Sequence, residues 1–208
     1  PTNDNTSSYT FSSNEVGTIS YGGSCSSSTT VATTDNNTIT FDALADGTYS
    51  DCKISVTDNA SNTSDNLSVS SFTIDTVKPV LAQVTAVTTP TNDNTPSYVF
   101  SSNEAGTNSY GGSCGSSTTS ATSASDNNTV ILTQPDNSTA LSDASYSNCT
   151  ITVTDSAGNA SSALSVNTFV VDTTAPTVSS VSSSTSDGAY KPNDNIMVTV
   201  TFNENVIV

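Results

Sequence analysis

The stretch TNDNTPSYVFSSNEAGTNSYGGSC, residues 91–114, decides the fold, because it repeats residues 2–25, TNDNTSSYTFSSNEVGTISYGGSC, almost letter for letter. These stretches align at an offset of 89, whereas a later match, which contains the second cysteine of each copy, aligns at an offset of 97. The eight-residue difference falls in the Ser/Thr/Asn-rich stretch 120–145. A loop absorbs such an insertion at little entropic cost. The sequence therefore predicts consecutive copies of one folding unit.

A third copy begins near the end of the chain. The segment DTTAP, 172–176, repeats DTVKP, 75–79, and the segments 192–195 and 202–204 echo the opening pattern. We therefore expect a unit that lacks its first strand (1–75), a complete unit of about 97 residues (76–172) and the first strands of a third unit (173–208). These segments are called the first, second and third repeats below.

Short alternating apolar runs predict that the units are built from β-strands. Runs such as TITF (38–41), SYVF (97–100) and CTITV (149–153) are bounded by Gly, Asn, Asp or Pro. No window shows the helical spacing of apolar residues, so we expect an all-β chain with almost no helix. Low hydrophobicity together with a net charge of −16 is also typical of disorder, an alternative that the regular strand spacing disfavours.

The charge and the apolar runs exclude several kinds of partner. With three Lys and Arg residues against 19 acidic ones, the chain has no surface that could neutralise a nucleic-acid backbone, and anionic membranes would repel it. No apolar run reaches the roughly 18 residues of a membrane helix, and no signal-peptide pattern opens the chain. We expect the sequence to be an excerpt from a longer polypeptide.

Four segments give the chain a resemblance to a known family. They are DTTAP (172–176), TVTDSAGN (152–159), DGTYSDC (46–52) and SSNEAGT (101–107). Along its whole length the chain resembles the tandem bacterial immunoglobulin-like (Big-type) domains of large surface proteins and adhesins. The resemblance implies tandem immunoglobulin-like β-sandwiches. The chain departs from antibody domains in having no Trp, and its tyrosines stand three residues before a Cys rather than two.

In a sandwich of this kind, the complete unit would place its strands near 80–87, 97–101, 106–110, 128–133, 148–154 and 164–171. Alternation in the fifth strand points Cys149 inward together with its aliphatic residues. Four cysteines allow three pairings, and independent repeats favour one disulfide per unit, Cys25–Cys52 and Cys114–Cys149. Disulfides place the chain in an oxidising, extracellular or cell-surface location. The alternative, a zinc site, lacks both histidine and the short ligand spacing.

Acidic residues recur at positions that an immunoglobulin-like sandwich would bring to its junctions. At the first junction we expect Asp75, Glu104, Asp155, Asp4 and Asp46, and at the second Asp172, Asp93, Asp143 and Glu204. Converging carboxylates repel one another unless a cation lies among them, and Ca²⁺ prefers such oxygen ligands. The alternative is that these residues are ordinary turn formers on a surface that keeps a long array soluble.

The sequence favours a non-enzymatic role. Histidine bases and phosphate-binding glycine loops are absent, and the acids recur once per unit, unlike a catalytic centre. A stiff spacer or assembly unit of a surface protein or filament is the leading hypothesis. The alternatives are an adhesin module that binds a cell-surface or glycan partner through its loops, and a carbohydrate-binding accessory domain.

Two further features bear on the partners of the chain. Tyr21 and Tyr110 are the only repeated aromatic residues outside the predicted core pattern, and without Trp they are the only candidates for a sugar-stacking platform. We expect the neighbouring repeats of the same chain to be its partners. Strand donation is a further prediction, in which 177–187 and 195–208 complete the first repeat of another molecule in a homopolymer.

Overall fold

The computed structural model describes residues 1–122 and 127–207, and within them every regular element is a β-strand. The first repeat contains β1 (Ser8–Ser13), β2 (Gly17–Gly22), β3 (Val31–Ala32), β4 (Asp35–Thr40), β5 (Gly47–Tyr49), β6 (Lys53–Thr57), β7 (Leu67–Ser68) and β8 (Phe72–Ile74). The second contains β9 (Leu81–Thr85), β10 (Ser97–Ser102), β11 (Gly106–Gly111), β12 (Ser120–Ala121), β13 (Asn127–Ile131), β14 (Ala144–Tyr146), β15 (Thr150–Thr154), β16 (Leu164–Ser165) and β17 (Phe169–Val171). The third contains β18 (Val178–Ser183) and β19 (Val198–Phe202).

Strand pairing repeats between the first two repeats, and every ladder between named strands is antiparallel. The four-stranded sheet β3-β2-β6-β7 of the first repeat corresponds to β12-β11-β15-β16 of the second, and the pair β5-β8 corresponds to β14-β17. One sheet differs, because β1 pairs only with β4, whereas the equivalent β10 pairs with both β13 and β9. In the third repeat β18 pairs with β19. The first repeat thus lacks one strand that the second has.

The alternating patterns build a separate hydrophobic cluster in each of the first two repeats. In the second repeat Tyr98, Phe100 and Ile151 are completely buried, as the runs SYVF and CTITV predicted. In the first repeat Phe11 and Ile54 occupy the equivalent places and are also buried. The third repeat differs, since all six residues of β18 are exposed.

One disulfide lies within each cluster. Cys25 is joined to Cys52 and Cys114 to Cys149, with Cα atoms 5.3 Å and 5.2 Å apart, respectively. In the chain-entropy model, closing loops of this length lowers the entropy of the unfolded chain and so stabilises the folded state by about 3.5 kcal/mol per bridge. Both bridges indicate a protein that folds outside the reducing cytoplasm.

The strand registers of β1 with β4 and of β10 with β13 show where the eight extra residues of the second repeat are inserted. Asn37 lies opposite Phe11 and Asn128 opposite Phe100, so the offset has already grown from 89 to 91 at β13. The remaining six residues lie between Leu132 and Leu141. There the side chain of Asp136 accepts hydrogen bonds from the backbone N–H groups of Ser138 and Thr139. Both parts of the insertion fall in the predicted stretch, and residues 123–126 of it lie outside the described part of the chain.

One predicted strand was wrong in its extent. The strand expected at 164–171 is divided into β16, which pairs with β15, and β17, which pairs with β14 in another sheet. Between them, the side chain of Asn167 accepts a hydrogen bond from the backbone N–H of Val87 and donates one to the Val87 carbonyl. The same division occurs in the first repeat, where β7 pairs with β6 and β8 with β5 and where Ser70 stands in place of Asn167. In the described residues, no helix has the length and apolarity that crossing a membrane requires.

Candidate functional site

The connection between the first and second repeats brings three carboxylates together. Asp75 follows β8, Glu104 lies in the turn between β10 and β11, and Asp155 follows β15. One carboxylate oxygen from each of them lies within 4.8 Å of the others, and all three side chains are at least partly buried. Within residues 1–122 and 127–207, no other group of three such ligand residues approaches so closely. We call Asp75, Glu104 and Asp155 the junction cluster.

Local hydrogen bonds fix each member of this cluster. The backbone N–H of Asp75 donates to the carbonyl of Thr2 at 3.0 Å, which ties the end of β8 to the start of the chain. The hydroxyl of Ser102 donates to the carbonyl of Glu104 at 2.5 Å and tightens its turn. Asp155 closes its own loop, because its Oδ1 accepts the N–H groups of Ala157 at 2.8 Å and of Asn159 at 2.9 Å.

The pKa values of two members of the cluster, Glu104 and Asp155, are shifted in opposite directions. Burial raises the pKa of Glu104 above its ordinary value, and the charges of Asp75 and Asp155 raise it further. Burial also acts to raise the pKa of Asp155, but the hydrogen bonds from Asn159, Ala157 and Gly158 outweigh it and the pKa is lowered. Asp155 therefore holds its negative charge firmly, while Glu104 accepts a proton more readily than usual or, by the same repulsion, attracts a cation.

Two other predicted site residues bind the linkers between repeats, residues 75–79 and 172–176, instead of joining the cluster. Asp46 Oδ1 accepts hydrogen bonds from the backbone N–H and the hydroxyl of Thr76, both at 2.9 Å. Asp143 repeats this with Thr173, at 2.9 Å and 2.8 Å, and its Oδ2 also accepts the hydroxyl of Thr174 at 2.7 Å. The same carboxylate-to-threonine clamp thus follows the first and the second repeat.

The first and second repeats also contact each other directly. The side-chain amide of Asn159 donates to the carbonyl of Asp75 at 2.8 Å and to the Oδ2 of Asp155 at 2.8 Å. From the other side, the backbone N–H of Asn3 donates to the carbonyl of Ala157 at 3.1 Å. Asn159 is only 6% exposed, so its amide is committed to the junction. The linker is therefore bound by both repeats that it joins.

The remaining predicted site residues lie apart from the junction cluster. Asp4 and Asp93 each accept hydrogen bonds from the threonine two residues further on, Thr6 and Thr95, which is ordinary turn chemistry. Asp172 accepts the backbone N–H of Thr174 at 3.2 Å. Glu204 has one buried carboxylate oxygen without a hydrogen-bond partner. The described part of the second junction contains no triad like that of the first.

Tyr21 and Tyr110 do not form an exposed platform. Both rings are partly buried against the hydrophobic clusters, and their hydroxyls donate to the carbonyls of Thr29 and Thr118. Burial is the main cause that raises the pKa of Tyr110. The expectation that these rings lie outside the core is therefore corrected. Alternation along β2 and β11 was the available signal, because each tyrosine stands two residues after a buried residue, Ile19 or Asn108, and therefore shares its face of the strand.

Sequence reasoning missed two asparagines that organise the junction. Asn159 has a counterpart in Asn62, and Asn103 has counterparts in Asn14 and Asn203. The recurrence of these amides, one in two copies and the other in three, was the available signal, but composition hides it in a chain so rich in Asn. No protein-family model matches the chain, and a comparison with curated proteins found no match.

Proposed function

We propose that the chain is a non-enzymatic structural module of an extracellular surface protein or filament. In this proposal the repeats are tandem immunoglobulin-like β-sandwiches that act as a stiff spacer or assembly unit. The linkers between them transmit force and fix the angle between neighbours. The observation that carries the proposal is the linker between the first two repeats, which is hydrogen-bonded on both sides.

Both repeats grip this linker through different groups. Asp46 of the first repeat binds Thr76, and Asn159 of the second repeat binds the carbonyl of Asp75, the residue before it. A flexible tether between independent domains would leave these groups solvated, because each ordered residue costs about 1–2 kcal/mol of backbone entropy. The recurrence of the clamp at Asp143 and Thr173 supports a device that serves successive linkers in the same way.

Calcium is the proposed cofactor of the first junction. Asp75, Glu104 and Asp155 supply hard carboxylate oxygens within 4.8 Å of one another, which suits a cation with six to eight tolerant oxygen ligands. Without a cation their mutual repulsion weakens the junction, in keeping with the raised pKa of Glu104. Bound Ca²⁺ would neutralise this charge and hold residues of the linker against the loops of the second repeat.

The alternative function is an adhesin module that binds through its loops. A glycan-binding version would need exposed aromatic rings, and the packing of Tyr21 and Tyr110 against the hydrophobic clusters removes the two candidates that the sequence offered. The spacer hypothesis needs no such platform. A chain with a net charge of −16 also remains soluble and separated from its neighbours when many copies are displayed together.

Small-angle X-ray scattering of the whole chain tests this proposal, first with calcium and then with chelator. With calcium we expect an extended particle that has a narrow range of maximum dimensions. When the ion is removed, this range should broaden. Glu104→Gln should abolish this response, whereas Glu15→Gln should leave it intact, because Glu15 is the counterpart that belongs to no triad in the described residues. A particle that is flexible under both conditions would overturn the spacer, and one that is stiff under both would overturn only the calcium part.

A further inference from the structure

Three departures of the second repeat from the first lie close together in the structure. Asn108 stands in place of a buried isoleucine, Ile19, and Gly115 stands in place of Ser26. The third departure is the segment 133–140, called the insertion loop below, in place of which the first repeat has only residues 42–43. Because the two repeats are otherwise near duplicates, changes that meet at one place indicate a local role that the first repeat does not share.

These changes line or shape one cleft beside β11. The cleft has a volume of about 330 Å³, which suits a small molecule. Its lining includes Asn108 and Tyr110 of β11, Ser116, and Pro135 and Asn137 of the insertion loop. Among the described residues that line it, none carries a charge, although the chain has a net charge of −16. The cleft therefore favours an uncharged polar ligand.

The insertion loop is fixed in place as one wall of the cleft. Asn137 has a left-handed backbone, with φ of 63°, which asparagine adopts more readily than most residues. Its Oδ1 accepts the backbone N–H of Ser116 at 3.0 Å. A Cβ atom at Gly115 would overlap with this Oδ1 and would lie 2.6 Å from the carbonyl of Gln134, so the close approach requires glycine. In the described part of the chain, nothing accepts a hydrogen bond from the Nδ2 of Asn137, which remains a donor for the cleft.

Asn108 supplies a buried acceptor without a partner. Its side chain is 6% exposed, and its Oδ1 has no hydrogen-bond partner in the described residues. Its Nδ2 donates to the carbonyls of Thr118 at 3.3 Å and Ser120 at 3.1 Å. These bonds lie at or beyond the long end of the usual range, so a modest rotation of the amide can turn Oδ1 toward a ligand. An unpaired buried acceptor destabilises the repeat, a cost that the isoleucine of the first repeat avoids.

The backbone of Tyr110 offers one more donor and one more acceptor. Backbone groups alternate sides along an antiparallel strand, and the N–H of Asn108 donates away from β15, to the carbonyl of Thr119 at 2.9 Å. The N–H and carbonyl of Tyr110, two residues further on, therefore point to the same side. There β12 pairs with β11 only at Gly106 and Thr107, and no described loop residue forms a hydrogen bond with the Tyr110 backbone.

We propose that this cleft binds a small uncharged ligand that carries two neighbouring amide groups, as a single residue within a peptide does. The ligand's two carbonyls accept from the N–H of Tyr110 and the Nδ2 of Asn137, and its two N–H groups donate to the carbonyl of Tyr110 and the Oδ1 of Asn108. The exchange at Tyr110 is the one that joins two residues of an antiparallel pair. This inference goes beyond the spacer role and depends on neither the linker nor calcium.

NMR titration of the whole chain, with chelator present, tests the ligand class. The probe is N-acetylalanine N-methylamide, which has two amide carbonyls and two amide N–H groups. We expect saturable shifts of the backbone amides of Tyr110 and Ser116, without shifts at their counterparts Tyr21 and Ser27. N-acetylalanine methyl ester lacks one N–H and should bind about fivefold more weakly, the effect of one net hydrogen bond. A neutral methyl hexoside, which offers hydroxyls but no amide, should give no saturable shift.

Two chain variants test the residues that contact the ligand. Asn108→Ile installs the residue of the first repeat and should weaken binding at least about fivefold, while the melting temperature stays the same or rises. Asn137→Gly keeps the left-handed backbone but removes the amide, and it should also weaken binding about fivefold. Asn193→Gly is the matched control, because Asn193 is an exposed asparagine with φ of 78° in the third repeat, and its loss should leave the affinity unchanged.

Several outcomes would overturn the proposal. One is the absence of saturable shifts at Tyr110 and Ser116, or shifts of equal size in the first repeat. Equal binding of the ester or of the hexoside would contradict the amide chemistry. Unchanged affinity in the Asn108 and Asn137 variants would place the probe elsewhere, and a lower melting temperature of Asn108→Ile would show that this amide serves the fold. Because chelator is present throughout, a failed calcium response of the junction cluster leaves all of these outcomes unaffected.

Discussion

The first and second repeats share nearly the same sequence, and each has a turn after the equivalent strand, β6 in the first and β15 in the second. The two turns differ in the segments that contact them. Asp58 Oδ1 accepts the N–H groups of Ala60 and Asn62, both at 2.8 Å, just as Asp155 accepts those of its own loop. The turns are alike because short-range sequence builds them. Asn62 is nevertheless exposed, whereas Asn159 is buried and reaches the linker.

The same contrast extends into the hydrophobic clusters. Phe100 is completely buried beneath β9, while its counterpart Phe11, without such a strand, keeps 7% of its surface exposed. Tyr98 is completely buried, and its counterpart Tyr9 is only partly buried. The difference shows that these aromatic residues are completely buried where the first strand of the repeat is present, as β9 is beside β10, and remain partly exposed where β1 has no such neighbour.

Truncation of the aromatic anchor at the end of each repeat should give the largest difference. Phe169 is completely buried and stacks on Tyr146 at 5.2 Å, so Phe169→Ala should destabilise the second repeat by about 3–5 kcal/mol. Phe72→Ala should cost the first repeat roughly half as much, about 2 kcal/mol, because water already reaches its ring. Hydrogen exchange at increasing denaturant, followed separately in β6 and β15, measures the two effects.

The control for this pair is a double variant that contains both changes. If the repeats unfold independently, the two costs add, with each confined to its own strands. Equal costs for the two single variants would contradict the idea that the first repeat lacks cover over its aromatic residues.

Removal of a linker clamp should have a smaller and more local effect. In Asp46→Ala, the backbone N–H of Thr76 loses its acceptor, so exchange of that amide should accelerate about fivefold, the equivalent of one exposed hydrogen bond. Hydrogen exchange by NMR measures this rate directly. Asp42→Ala is the control, because Asp42 accepts a hydrogen bond from Ser26 within the same repeat and does not contact the linker. Slow exchange of Thr76 in the Asp46 variant would show that the clamp does not order the linker.

Much of the fold could be predicted from the sequence, because alternation reports local strand geometry. The inward face of β15 and the extent of β10 followed from the apolar runs alone. The division between β16 and β17 could not be predicted, since the two parts pair with strands of different sheets, β15 and β14. The same division recurs as β7 and β8 in the first repeat, where Ser70 replaces Asn167. A periodic pattern shows which residues face inward, but it does not show which strand each part of an apolar run will pair with.

The candidate site shows the same limit. The sequence grouped Asp75, Glu104 and Asp155 with Asp4 and Asp46, and the structure brings the first three together. The sequence could not distinguish them from Asp46, which is equally well repeated but binds Thr76. The distinction depends on which partner faces each carboxylate across the junction. Repetition alone carries no information on that partner.

The acid response of the junction cluster should give the smallest effect, and its sign follows from the raised pKa of Glu104. A carboxyl group whose pKa is higher in the folded than in the unfolded state favours folding when protonated. In chelator, its contribution is therefore present below the ordinary pKa of 4.5 and is lost as the pH rises through the higher folded value. Asp155, with a lowered pKa, contributes in the opposite sense, since its contribution is present above the ordinary pKa of 3.8 and is lost as the pH falls through the lower folded value.

Glu104→Gln should accordingly raise stability at neutral pH in chelator by less than about 1 kcal/mol, and the gain should vanish near pH 4.5. Denaturant unfolding of the second repeat from pH 7 to pH 4 measures the difference between the variant and the original chain. Glu15→Gln, at the matching turn of the first repeat, provides the control and should show a smaller pH-dependent gain, because its turn faces no linker aspartate in the described residues. With calcium present the sign should reverse, since Glu104→Gln then removes a proposed ligand. A gain at neutral pH that persists in calcium would show that repulsion alone governs these three carboxylates.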